Sequence, residues 1–225
     1  MKFKILFLLL FTTFTAFSQT GKITYSVQLI NDTDHEFIHK LRTEFELMEF
    51  TLRYDADSSY FEMQPYIIKD ELSSKIAKSL LSIKSGIQQT KKQANTIRKV
   101  KDSMFKVDYS ARMNAWKFTN ETAMIDNYKC YKAVFEFYNK LSGKTLLYNA
   151  WYTPEIPAGY GPIGFGGLPG LILQLEYKNA TFKVEKIILN PKNIEVPSIG
   201  DAPMITVDEH VKKMRAARRV TEEKE

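Results

Sequence analysis

Between Gly21 and Ile30 the apolar residues Ile23, Tyr25, Val27 and Leu29 alternate with Lys22, Thr24, Ser26 and Gln28, the period-two pattern of a strand with one buried face. Phe50 to Tyr54 and Ser59 to Met63 flank Asp55-Ala56-Asp57-Ser58, whose short polar side chains favour a turn, so a hairpin is predicted. Similar runs occupy Met104 to Tyr109, Ala115 to Thr119, Tyr128 to Tyr138, Lys144 to Thr153, Leu171 to Tyr177 and Thr181 to Leu189. Strands in succession without helical crossovers predict a mainly β fold: a curved antiparallel sheet or partial barrel, with one or two amphipathic helices.

Three segments depart from alternation. Asp34 to Met48 sets Ile38, Leu41, Phe45 and Met48 at helical spacing behind Asp34 as a cap; a strand is the rival, because Phe45 and Leu47 also alternate with acids. Asp70 to Thr96 carries Leu72, Ile76, Leu80, Ile83 and Ile87 among lysines and glutamines. That spacing predicts a helical insertion near 70–96 whose apolar stripe docks on the sheet or on a membrane. Thr206-Val207-Asp208-Glu209 has the form of a capping box and predicts a C-terminal helix.

The first eighteen residues form a separate unit. Lys2 and Lys4 precede the apolar run Ile5 to Phe11, and Ala16-Phe17-Ser18 closes it before Gln19, the order of a secretory signal peptide. The run is shorter than the roughly 20 residues a transmembrane helix needs, so the expectation is a cleaved signal at 1–18 and a single domain over 19–225, not transmembrane after processing. Cys130, the single cysteine, lies far from this site, which leaves no thiol there for lipid attachment and no internal disulfide. Its place within a predicted strand suits a small buried side chain.

With 225 residues, 44% of them hydrophobic and 26% charged, the chain can build a globular core. Loss of Lys2 and Lys4 lowers the formal charge of +6 by two. The remaining cations cluster at Lys69, Lys75, Lys78, Lys84, Lys91, Lys92, Arg98, Lys99, Lys101 and Lys106, and again at Lys212, Lys213, Arg215, Arg218 and Arg219. They read as solvated helix faces, and for an exported protein no nucleic-acid partner is expected.

His35-Glu36-Phe37-Ile38-His39 is the one motif that suggests catalysis. On a helix both imidazoles would share a face and could hold zinc, with Glu36 activating a bound water. The extended form with Gly and then His fails, because Arg42 and Phe45 stand at those offsets. Charged Asp34 and Lys40 flank the motif, which begins ahead of most of the strands. A serine hydrolase would need a further positioned histidine, and only His210 remains, in the basic tail. The reading is therefore non-catalytic, without metal or cofactor, and a zinc-dependent hydrolase is the alternative.

Six of ten glycines lie between Gly159 and Gly170, and four of eight prolines between Pro154 and Pro169. Trp151-Tyr152-Thr153-Pro154 leads through Tyr160, Gly161-Pro162 and Phe165-Gly166 into Gly167-Leu168-Pro169-Gly170-Leu171-Ile172. With Trp116 and Tyr128-Lys129-Cys130-Tyr131-Lys132-Ala133 upstream, this order resembles the GLPGLI family, small exported proteins of Gram-negative envelopes. The resemblance covers Asn114 to Leu189. It implies a periplasmic or envelope-associated protein of no established reaction, in the setting of outer-membrane TonB-dependent receptors. The function expected is binding of a lipid-like ligand, or of an outer-membrane or periplasmic protein.

Two readings of the glycine-rich segment stand side by side. Pro169 and Gly170 suit the second and third positions of a type II turn that aims Leu171 and Leu173 into the core. Alternatively Trp151, Tyr160, Phe165, Leu168 and Pro169 form an exposed binding rim. If the N-terminal reading is right, the intact mass of protein from its native host begins at Gln19, open or cyclised; a mass that includes Met1 excludes processing.

Overall fold

The computed structural model describes residues 19–31, 33–83, 85–139 and 143–222; the predicted signal peptide lies outside them. Strands β1 (Gly21–Leu29), β2 (Glu49–Tyr54), β3 (Ser58–Met63), β4 (Ile87–Thr90), β5 (Ala94–Val100) and β6 (Ser103–Asp108) follow one another across the sheet. A second meander runs through β7 (Trp116–Ile125), β8 (Tyr128–Asn139), β9 (Lys144–Thr153), β10 (Leu171–Tyr177) and β11 (Ala180–Leu189). β11 pairs back onto β1, Leu29 opposite Ala180 and Gly21 opposite Leu189. This pairing welds both meanders into one twelve-stranded sheet. Most neighbours are antiparallel, as predicted.

The twelfth strand, β12 (Met204–Thr206), pairs parallel with β6. No alternation marks so short a strand; the chain returning from β11 lays it there. It ends in the predicted capping box, where Glu209 accepts from Thr206 N at 2.8 Å and Thr206 Oγ1 accepts from Glu209 N at 3.2 Å. The helix that follows, α3 (Val207–Glu222), sets Lys213 Nζ 4.8 Å from the Phe105 ring centroid. The sheet curves but does not close into a barrel: β12 and β7 are its two ends.

Period two decides which face is inner. In β1, Ile23, Tyr25 and Val27 are buried while Lys22 and Gln28 are exposed. Opposite them Leu52 pairs with Ile23 and Phe50 with Tyr25, and Phe50, Phe61 and Phe182 meet at centroid distances of 5.3 to 6.1 Å. The Tyr25 hydroxyl donates to Ile172 O at 2.6 Å, which ties β1 to β10 beneath the sheet.

The first connection is helical, as spacing predicted, with α1 at Glu36–Glu46 burying Leu41 and Phe45. Its cap is His35 rather than Asp34: His35 Nδ1 accepts from Phe37 N at 3.1 Å, and Asp34 pairs with His39. Buried Glu44 accepts from Lys69 N and Asp70 N, each at 2.7 Å, and so fastens the start of the second helix to the first.

The long helix expected over 70–96 is not formed. Helix α2 covers only Glu71–Leu81, and Ser82 then takes a left-handed conformation with φ +57°. Beyond Gly86, β4 and β5 form a hairpin in which Ile87, Gln89, Ala94, Thr96, Arg98 and Val100 alternate inward. Alternation at period two over 87–100 competes with the helical spacing, and sheet pairing with β3 decides the outcome. The apolar stripe also moves. α2 buries Ser73, Ser74, Ala77 and Leu81, whereas Leu72 is 62% exposed. Small residues allow close approach to α1, and Tyr66 hydrogen-bonds Ser74 Oγ at 2.8 Å.

The mid-chain cations are accordingly not all on helix faces. Lys91 and Lys92 lie in the β4–β5 turn, and buried Arg98 donates to Ser85 Oγ at 2.8 Å and Ser82 O at 3.0 Å. Lys84 is outside the described residues, as are the side chains of Arg218 and Arg219.

Two substitutions separate the predicted stripe from the observed one. Leu72→Ser should change unfolding free energy by no more than about 0.5 kcal/mol, while Ala77→Leu should destabilise by about 1–3 kcal/mol through overpacking. Urea unfolding of the two variants measures both.

Candidate functional site

The segment between β9 and β10 lies on the inner face rather than at the rim. Its chain folds back on itself through Gly167 N to Gly159 O at 2.9 Å, Leu171 N to Ile156 O at 3.0 Å and Ile172 N to Tyr160 O at 3.0 Å. Three side chains from elsewhere seize its carbonyls. Trp116 Nε1 donates to Gly166 O at 2.8 Å, Gln89 Nε2 to Phe165 O at 3.1 Å, and Arg112 to Ile163 O at 2.5 Å. Gln89 belongs to the first meander and Trp116 to the second, so the segment bridges them.

Phe165 is 1% exposed, with ring centroids of Trp116, Phe135, Tyr148 and Tyr177 between 5.5 and 5.9 Å away. The Arg112 guanidinium stands 5.3 Å from its centroid and 4.0 Å from that of Tyr109. The exposed rim predicted from Trp151, Tyr160, Phe165, Leu168 and Pro169 is therefore corrected. Tyr160, Phe165 and Leu168 are buried, because a glycine-rich chain can lie flat enough to press its large side chains into the sheet. Pro169 stays exposed, and Trp151 faces the opposite side of β9, 5.8 Å from Lys132 Nζ. These five side chains do not converge on one surface.

The type II turn is corrected too. Gly170 has φ +159°, far from the roughly +80° of the third turn position, and Leu171 N bonds Ile156 O instead of closing a turn. Glycine is needed at 170 because a Cβ would collide with the Thr153 carbonyl. The left-handed residue is Gly167, φ +74°, where a Cβ would strike the Met113 carbonyl. Leu171 and Leu173 do enter the core, both fully buried.

His35 and His39 do not act as a pair. His35 caps α1, while His39 Nε2 lies 2.7 Å from Asp34 Oδ1. Glu36 pairs with Lys40 at 2.8 Å, and that bond draws its carboxyl below the ordinary range. Among the described residues no group of three or more His, Cys, Asp or Glu side chains is gathered to hold a metal ion. Cys130 is fully buried, and desolvation pushes its thiol up to about 11, the opposite of an activated nucleophile.

Two other regions carry surface features that the sequence pattern does not single out. The first is the free end of the sheet. Antiparallel pairing puts Phe118, Tyr131, Tyr152 and Phe137 on the same face as Phe135 and Tyr148. Phe118 is 63% exposed and Phe137 45%. Phe118 and Tyr131 both contact Tyr152, at 6.2 and 6.1 Å. A bulge between Phe118 and Thr122 interrupts the outer edge of β7, and Lys132 Nζ bonds both Glu121 carboxylate oxygens at 3.0 Å beside it. Such a bulge blunts strand-to-strand aggregation while leaving the aromatic face open. The second is a cleft of about 460 Å³ among the β2–β3 turn, the β4–β5 turn and the glycine-rich segment, with Tyr160 and Leu168 in its wall.

A family described as "Protein of unknown function (Porph_ging)" matches residues 137–174, which span β9, the glycine-rich segment and the start of β10. Among curated proteins none matches the sequence. Two crystal forms of PNGF-II, in space groups C2 and P21, are similar in structure. Each gives a TM-score of 0.55 at 14% identity over 89% of this chain. The match spans 33% and 34% of those chains, about a third of their length. At that identity the likeness is one of fold alone.

Phe165→Ala should cost about 3–5 kcal/mol of stability, as for other aromatic core truncations. Thermal unfolding tests this; an unchanged melting temperature would return Phe165 to the surface.

Proposed function

We propose that the protein is a non-catalytic binding module of the cell envelope that docks a partner polypeptide on the aromatic face of β7, β8 and β9. The observation that carries this reading is the exposure of Phe118 and Phe137 on a face whose other residues form the core. Large apolar side chains left exposed on a rigid sheet, here on either side of the row that Phe165 covers, suit a protein-docking surface. A lipid-like ligand is less well served. An acyl chain needs an enclosed apolar cavity, and on the inner face of this sheet α1, α2 and the glycine-rich segment are already packed.

The family match to a protein of unknown function agrees with this reading but adds no reaction. The N-terminal pattern supports export, and with it a periplasmic or outer-membrane protein as the partner. The separate engagements of His35 and His39 count against the zinc hydrolase.

Site-specific photo-crosslinking in the native envelope tests the docking face. A crosslinker at Phe118 should give a discrete protein adduct that Phe137→Ala weakens, while one at exposed Lys22 on the opposite face should give none. All the variants keep the fold, since the side chains altered at 22, 118 and 137 are exposed. Equal adducts from positions 118 and 22, or adducts unaffected by Phe137→Ala, would defeat the proposal.

A further inference from the structure

The cleft beside the glycine-rich segment is lined in part by Gln19, Asp55, Lys91, Met113, Tyr160 and Leu168. Two of these carry polar atoms that are buried without a partner: Tyr160 Oη, on a residue only 4% exposed, and Gln19 Oε1. A second unpartnered hydroxyl, that of Tyr54, lies behind the cleft lining on a ring 6.0 Å from the Tyr160 centroid. Leaving a buried polar group unsatisfied is costly, so two on residues of one cleft mark a surface shaped for something that completes them.

The groups differ in what they ask for. Gln19 Oε1 is only an acceptor, and so is the Asp55 carboxylate, held in position by Asp57 N at 2.9 Å and Ser58 N at 2.8 Å. Tyr160 keeps its proton, because burial, reinforced by Asp55 and Asp57, pushes the hydroxyl up to about 12. It can therefore donate or accept. This side of the cleft suits a cationic donor. Lys91, exposed in the β4–β5 turn, contributes the opposite charge, while Met113 and Leu168 contribute apolar surface.

We propose that this cleft binds a free amino acid or the like-sized end of a peptide, its ammonium against Asp55 and Tyr160 and its carboxylate toward Lys91. A zwitterion satisfies the acceptors and the Lys91 ammonium with full charges on both sides, and the apolar wall favours an aliphatic side chain. A volume of about 460 Å³ falls within the usual range for small-molecule sites. The site shares no residue with the aromatic face of β7–β9, so either proposal can fail without the other.

Isothermal titration of the mature chain with L-leucine, isopentylamine, isocaproate and glucose tests it. The two analogues keep the leucine skeleton and each lacks one charge. L-Leucine should saturate one site, and each analogue should bind about tenfold more weakly or worse, the scale of one charged hydrogen bond. Tyr160→Phe, which keeps the ring, and Lys91→Ala, which alters an exposed turn, should each weaken L-leucine severalfold without lowering the melting temperature. No saturable heat with L-leucine, equal binding of either analogue, stronger binding of glucose, or indifference to both substitutions would overturn the assignment.

Discussion

Burial of the Phe165 ring, and capture of the backbone around it, is the contact on which the two halves of the sheet depend. Each meander alone is a curved ribbon with one apolar face, and such a face must be covered. β1–β11 pairing joins the ribbons along one line, but Gln89, Arg112 and Trp116 hold the carbonyls of Ile163, Phe165 and Gly166 across the space between them. Four aromatic partners around Phe165 then act at once. Each such pair contributes about 0.5–1.5 kcal/mol beyond its buried area.

That constraint explains the composition of the segment. The chain must pass close to the Met113 and Thr153 carbonyls, which glycine at 167 and 170 permits and any side chain would block. Its glycines serve close approach and its aromatic and aliphatic residues serve the core, so a sequence feature that suggests a binding loop is largely structural. What the segment leaves for recognition is its outer border, where Tyr160 and Leu168 meet the two hairpin turns.

Recognition surfaces lie where the covering layer stops. α1 and α2 protect the region near β1, and the glycine-rich segment protects β3, β4 and the middle of β7–β10. On either side of it the same inner-face register continues in Phe118 and Phe137, which are 63% and 45% exposed. The histidine motif shows the converse. His35 and His39 sit at the right spacing, yet the first caps the start of a helix and the second meets Asp34, which makes the motif part of local helix chemistry.

Alternation and turn chemistry determined the strands from residues 21 to 63 and 103 to 189 apart from the second half of β7 beyond its bulge, and with them the inner and outer faces and the capping box at Thr206. These depend on neighbours a few residues apart, which the order of side chains records directly. Residues 82–100 escaped that logic because helical and strand periodicities coexist there, and pairing with β3 chose between them. The α2 stripe escaped it because contact with α1 favoured small side chains over large ones. Burial of Phe165, exposure of Phe118 and the gathering of Gln19, Asp55, Lys91 and Tyr160 were decided by tertiary structure alone. Each rests on contacts between segments tens of residues apart, and no local pattern encodes which of several apolar or polar groups the folded chain will cover.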